Sequence, residues 1–332
     1  MRTLIAVRQR HPIGPARLLC ALAVAFAFLS CTVKARTQIS QASAERVEML
    51  RGEIKGAEER QRSAAEVGGL WLRLANRYQD QLEFAEAEDA FGHSLRLLRT
   101  PATQAAYADA LDGLGSLYFE TDRSAEAGNC LRKSLAIYQA LGDQIHTAKL
   151  HETIALVLLF ERRFHEAEAE SAEGLKELQS LARADAGETV AAYLTHGCAL
   201  CHQGRCSAAL EDANRAMAIA QAKLPAESLD MVAVWLFRGF DEWKTGSAEE
   251  GERAMGEALR IARGLTGLPR PVLVNAQLGV LRQYAAFLKA THRKREAGQT
   301  ESEIVRLESE QHLACSNCTV NAAALSAGPL LP

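Results

Sequence analysis

Apolar residues recur along the middle of the chain at helical spacing, and long alternating strand patterns are absent. Six similar segments begin at Trp71, Leu111, His151, Tyr193, Trp235 and Leu281. Four positions after each stands a small residue: Ala75, Gly115, Ala155, Gly197, Gly239 and Ala285. A second follows sixteen positions after each start: Ala87, Ala127, Ala167, Ala209, Gly251 and Ala297. Two small residues per segment let two helices approach closely, one from each arm of a hairpin. Polar or glycine-containing turns separate the arms, as in QGR (203–205) and TGS (245–247). One hairpin cannot bury both its faces, so neighbours must stack and share a core. Before the repeats, Val47, Leu50, Ile54 and Ala57 form one face of an expected capping helix in 36–67. Residues 311–332 keep no sustained period, contain Pro329 and Pro332, and read as a flexible tail.

Composition supports the helical reading. Hydrophobic residues make up 48% of 332 and aromatics only 6%, so alanine, leucine and valine supply much of the apolar content. The net charge is −3, without a dense basic block beyond the first residues, which argues against nucleic acid as a partner.

Here the chain resembles the tetratricopeptide repeat (TPR) family. In WLRLANRYQDQLEFAEAEDAF (71–91), Trp71, Leu74, Ala75, Tyr78, Ala87 and Phe91 match its pattern. In LDGLGSLYFETDRSAEAGNCL (111–131), Leu111, Leu114, Gly115, Tyr118, Ala127 and Leu131 do the same. The spacing exceeds the family's basic 34 residues and is similar to the long repeats of kinesin light chains and bacterial relatives. The resemblance spans 68–310. It implies an all-α, right-handed superhelical solenoid of about six hairpins. Arg238 and Glu242 stand where the pattern prefers apolar groups, so the fifth repeat is expected to be shifted or distorted.

The resemblance also implies a concave groove lined by the first helix of each repeat. Its groove-facing offsets carry Asp109, Asp112, Ser116, Phe119 and Glu120 in repeat two, then Leu156, Leu159 and Phe160 in repeat three. Cys198, Cys201 and His202 follow in repeat four, Phe240, Trp243 and Lys244 in repeat five, and Arg282 and Lys289 in repeat six. An acidic end, an apolar middle and a basic far end are expected. Such a groove binds a peptide or helix of another protein.

CALCH (198–202) also has the letters of a c-type haem attachment site. A covalent haem and an electron-transfer role are therefore one alternative. A metal site joining Cys198 and Cys201 to His202, or to Cys315 and Cys318, is another. A thiol–disulfide helper using Cys198 and Cys201 is a third. The favoured reading is simply part of a groove wall, with no cofactor and no metal. Cys206 falls in the slot filled by Phe84 and Phe164, and Cys130 lies beside Leu131; both read as packed thiols. Trp71 and Trp235 read as core. ERQR (59–62) and RKRE (293–296) read as solvated faces and turns. No phosphate-binding glycine loop, nucleophile elbow or HExxH occurs, and no enzyme activity is expected.

The first residues resemble an export signal. Arg2, Arg8, Arg10 and Arg17 precede the apolar run LLCALAVAFAFLS (18–30), which is short for a membrane span. FLSC (28–31) resembles a bacterial lipobox, with Cys31 as the lipidated residue and Phe28 in the place usually held by leucine. VKA (33–35) offers an ordinary cleavage site instead, which makes 1–35 the expected signal segment. Losing residues 1–30 removes four arginines and no acid, moving the net charge from −3 to −7. The expected location is the periplasm or cell envelope, with a lipid anchor or an uncleaved N-terminal one. Oxidised cysteines are plausible there.

Overall fold

The computed structural model describes residues 41–314, apart from 82, 182–184 and 269. The expected signal segment with Cys31, and Cys315 and Cys318, lie outside the described residues. Thirteen α-helices occur among the described residues, with no strand. Helix α1 (Gln41–Glu59) precedes six hairpins. They are α2 (Ala64–Asp80) with α3 (Phe84–Leu97), α4 (Gln104–Glu120) with α5 (Ser124–Leu141), and α6 (Gln144–Phe160) with α7 (Phe164–Ser180). Then follow α8 (Ala186–His202) with α9 (Cys206–Lys223), α10 (Leu229–Lys244) with α11 (Ala248–Gly264), and α12 (Arg270–Ala290) with α13 (Lys294–Ala314). Each helix packs on the next along the chain, and successive first arms also touch one another. The architecture is an all-α, TPR-like solenoid. No helix of the described residues is long and apolar enough to cross a membrane.

One turn closes every hairpin. The backbone N–H of Glu83, Arg123, Arg163, Arg205, Ser247 and Arg293 donates to the carbonyl five residues earlier, at 2.8–3.0 Å. The preceding residue is left-handed in each described case: Asp122, Arg162 and His292 at φ 63°, Gly204 at 81° and Gly246 at 100°. This bond satisfies a carbonyl that the end of the first arm would otherwise leave unpaired. Four of the first arms start instead on side-chain caps. Ser63, Asp143, Asp185 and Ser228 each accept from a backbone N–H one turn into α2, α6, α8 and α10.

The two small positions of each repeat meet between the arms. A Cβ on Gly239 would lie 2.8 Å from the Gly251 carbonyl oxygen, and one on Gly251 would lie 2.7 Å from that of Gly239. The fifth repeat is therefore not shifted. Its polar exceptions are absorbed within α10, where Arg238 Nε donates to Glu242 Oε1 at 2.8 Å and the guanidinium reaches over Trp235. Gly115 is also tight, its Cβ position lying 2.8 Å from Leu131 Cγ. Gly197 is looser, with nothing nearer than the Ala209 carbonyl oxygen at 3.4 Å.

The core follows from this stacking. A continuous cluster of buried residues runs from Ala108 to Ala297, and a second joins α1 to repeats one and two. Val47, Leu50, Ile54 and Ala57 of α1 are buried. First arms α6, α8 and α10 are buried on nearly every side, from Leu150 through Leu159 in α6 without a break. Second arms bury one stripe, as α11 does with Gly251, Ala254, Met255, Ala258 and Ile261.

The glycine contacts give a paired prediction. Gly239→Ala should destabilise the protein by about 1–3 kcal/mol, because the new methyl meets backbone. Gly197→Ala should be neutral or gain up to about 1 kcal/mol from helix propensity. Urea midpoints of the two variants check the contrast.

Candidate functional site

The inner face is formed by the first arms, and its character changes along the solenoid. At the N-terminal end it is open. Asn76 and Asp109 are exposed, and Asp112, Ser116 and Phe119 are half-buried. The Tyr138 hydroxyl donates to Asp109. Burial, then the neighbouring Asp109 charge, pushes the Asp112 carboxyl up to about 6, against the opposing pull of His146 and Lys149. Phe119 of repeat two meets Phe160 of repeat three edge to face, with ring centroids 4.7 Å apart. Both rings are half-buried.

In the middle the face is closed. Leu156, Leu159, Cys198, Cys201 and Phe240 belong to the core, none more than 8% exposed. The continuous apolar patch expected there is thus not an open surface. Neighbouring first arms come close enough to cover one another's inward side chains, and the apolar residues that would have lined a groove seal it instead. Trp243 stays half-buried, packed edge-on against Phe240 and Phe287, and Lys244 lies 4.2 Å from its ring centre. His202 stacks on Phe164 at 4.4 Å.

The expected basic far end is neutralised. Arg282 Nη2 lies 2.6 Å from Glu308 Oε1, and Lys289 pairs with Glu301. Both acids stand on α13, the last arm, which turns back along α12.

The cysteine stretch is built differently from each alternative raised by its letters. Cys201, near the end of α8, forms a disulfide with Cys206, the first residue of α9, with Cα atoms 4.1 Å apart. Cys198 lies outside that disulfide and is fully buried. Neither sulfur of the CALCH stretch is therefore available for a thioether to haem, and Cys198 and Cys201 are not paired with each other. Among the described residues no group of three His, Cys, Asp or Glu is arranged to hold a metal ion. Cys206 remains in the interhelical slot expected of it, but bonded. Cys130 packs half-buried against the N-terminal core. Trp71 stacks on His93 at 4.3 Å, and Trp235 is partly buried against the main core.

Two buried carboxylates were not singled out by sequence. Glu152 on α6 accepts from the Thr195 hydroxyl of α8, while its Oε2 has no partner among the described residues. Burial pushes it up to about 7. Asp241 on α10 is fully buried, with neither oxygen partnered among the described residues. Burial, with Asp212 and Glu242 adding repulsion, raises its carboxyl well above the ordinary range. Asp212 has company of its own: His196 Nδ1 lies 2.6 Å away and Arg215 Nη1 donates at 3.1 Å. The available signal was an acid amid apolar neighbours on a first arm.

No family model matches the chain, and no curated protein matches it. Solved structures do. The apo form of RapI aligns with a TM-score of 0.67 over 86% of this chain and 98% of its own, at 10% identity. BtubC (BKLC) from P. vanneervenii gives 0.56 over 67% of this chain and 89% of its own, at 19% identity. The Rap conjugation gene regulator of plasmid pLS20, in complex with the Phr* peptide, gives 0.52 over 96% and 94%, at 14% identity. The chain is a TPR-like helical repeat protein, similar in structure to Rap proteins and to kinesin-light-chain-like repeats.

Raised carboxylates stabilise the folded state at low pH. The unfolded chain releases the Glu152 proton near 4.5 and the folded one near 7, so stability falls as pH rises between these values. Glu152→Gln should flatten that slope and raise stability at pH 8 by on the order of 2 kcal/mol. Urea midpoints at pH 5 and pH 8 check both statements.

Proposed function

We propose that the protein is a binding scaffold, not an enzyme, that receives a peptide or helix of another protein on the open N-terminal part of its inner face. The observation that carries this is the half-exposed Phe119–Phe160 pair, with Asp109 and Asp112 two to three turns earlier on the helix of Phe119. An aromatic anchor supplies affinity, and the carboxylates fix orientation and select charge. The pLS20 regulator in complex with the Phr* peptide supports peptide recognition as a use of this fold, by analogy of architecture alone. Leu159 and Phe240 serve the core in this reading, not the ligand.

The same proposal includes export. The arginine-flanked apolar run 18–30 and FLSC (28–31) favour a cell-envelope protein anchored by lipid on Cys31. A disulfide between Cys201 and Cys206 suits an oxidising compartment.

Two outcomes are expected. Phe119→Ala with Phe160→Ala should abolish capture of the partner while helix content by circular dichroism stays near wild type, with a modest fall in thermal midpoint because both rings also pack. Phe240→Ala should instead cost about 3–5 kcal/mol of stability. Capture that survives the double substitution contradicts the site. The intact mass of protein from an exporting bacterial host should correspond to a start at Cys31 carrying lipid; a start at Met1 or Arg36 contradicts the anchor.

A further inference from the structure

The turn between the arms of a hairpin is flanked by two positions, eight and thirteen residues after each repeat start. They hold Gln79 and Phe84, Phe119 and Ser124, Leu159 and Phe164, Cys201 and Cys206, Trp243 and Ala248, and Lys289 and Lys294. Repeats one, two, three and five each place an aromatic ring in this pair. Phe164 is half-buried against the core and stacks on His202 of the next repeat. Trp243 packs so near the opposite arm that a Cβ on Gly251 would lie 3.1 Å from its own. Repeat six, the terminal hairpin, has two lysines. Repeat four alone among the internal hairpins has no ring, and there the two positions are joined covalently.

We propose that the Cys201–Cys206 disulfide is a redox latch that takes the place of the aromatic wedge and holds the fourth hairpin shut. Three observations locate it. Its turn contains the left-handed Gly204, so the chain between the sulfurs has a flexible residue; its one ring, His202, stacks on Phe164 of the preceding repeat, and neither flanking position supplies a ring to the fourth hairpin. Cys201 is on α8, one of the first arms that close the inner face, and is only 8% exposed. Cys206 is more accessible and begins α9. Repeat four is internal, with α8 packed on α7 and α9 on α10, so loosening it weakens the coupling between the solenoid's two halves.

The chemistry is ordinary thiol–disulfide exchange with a dithiol reductant. One thiolate of the reductant attacks Cys206 Sγ, and Cys201 leaves as a thiolate and takes up a proton. The second thiol of the reductant then displaces Cys206 and closes its own disulfide, leaving two protein thiols and an oxidised dithiol. Cys198, fully buried one turn earlier on α8, stays a thiol throughout.

The latch is tested on the full chain by hydrogen exchange with and without dithiothreitol. Peptide mapping of the oxidised protein should first show Cys201 linked to Cys206. Reduction should then speed exchange at the end of α8 and the start of α9 by roughly thirtyfold, the loss expected on opening a six-residue loop. Helices α2–α5 should stay as they were. Cys206→Phe, which installs the ring of repeats one and three, should keep this region protected and insensitive to dithiothreitol. Cys201→Ala should match the reduced wild type without reductant. Linkage of Cys198 to Cys201, equal exchange in oxidised and reduced protein, or a Cys206→Phe protein that still responds to reductant through this region would each overturn the proposal. None of these readouts involves the partner, so failure here leaves the binding-site reading standing.

Discussion

The close approach of two helices at a pair of small residues is the constraint on which the rest of this molecule depends. Where Gly239 faces Gly251, backbone meets backbone and no side chain intervenes. Ala75 with Ala87 and Ala155 with Ala167 keep the same positions free of bulk, all four fully buried. Dispersion at such a contact is gained only while the surfaces stay complementary. Each hairpin is thereby a stiff unit, and its turn has the same hydrogen bond in every repeat. The stack then has little freedom except how neighbouring hairpins are set against each other.

That remaining freedom decides the character of the inner face. In repeats three to five the first arms lie close enough to bury one another's inward side chains, and an apolar wall becomes core. Polar groups caught in this layer have few partners, which is why Glu152 and Asp241 hold their protons more tightly than exposed carboxylates. In repeats one and two the inward residues are smaller or charged, and the face stays open around Asp109, Asp112 and Phe119. A ligand surface and a sealed core are thus two outcomes of one repeated geometry, separated by the side chains placed on it.

The small positions and the apolar period made the six hairpins readable in the sequence, because helix contact at short range depends on residues of known spacing. The face of each first arm was readable as well. Exposure was not, since it depends on distances between repeats that no local pattern encodes. For the same reason Arg282 and Lys289 looked like a free basic end, although Glu308 and Glu301 on the returning α13 neutralise them. Arg238 and Glu242 looked disruptive singly and are harmless as a pair one turn apart. Cys201 and Cys206 were assigned to different faces, one to the groove and one to the core. The turn brings both positions together, and the disulfide follows from that.

Hydroxyl-radical footprinting of the folded full chain tests the central claim most directly, since it reads side-chain exposure residue by residue without a known ligand. Phe119 and Phe160 should be modified, and Leu156, Leu159 and Phe240 should be protected. Equal modification across all five would mean that the middle of the inner face is open, and would contradict the division between ligand surface and sealed core.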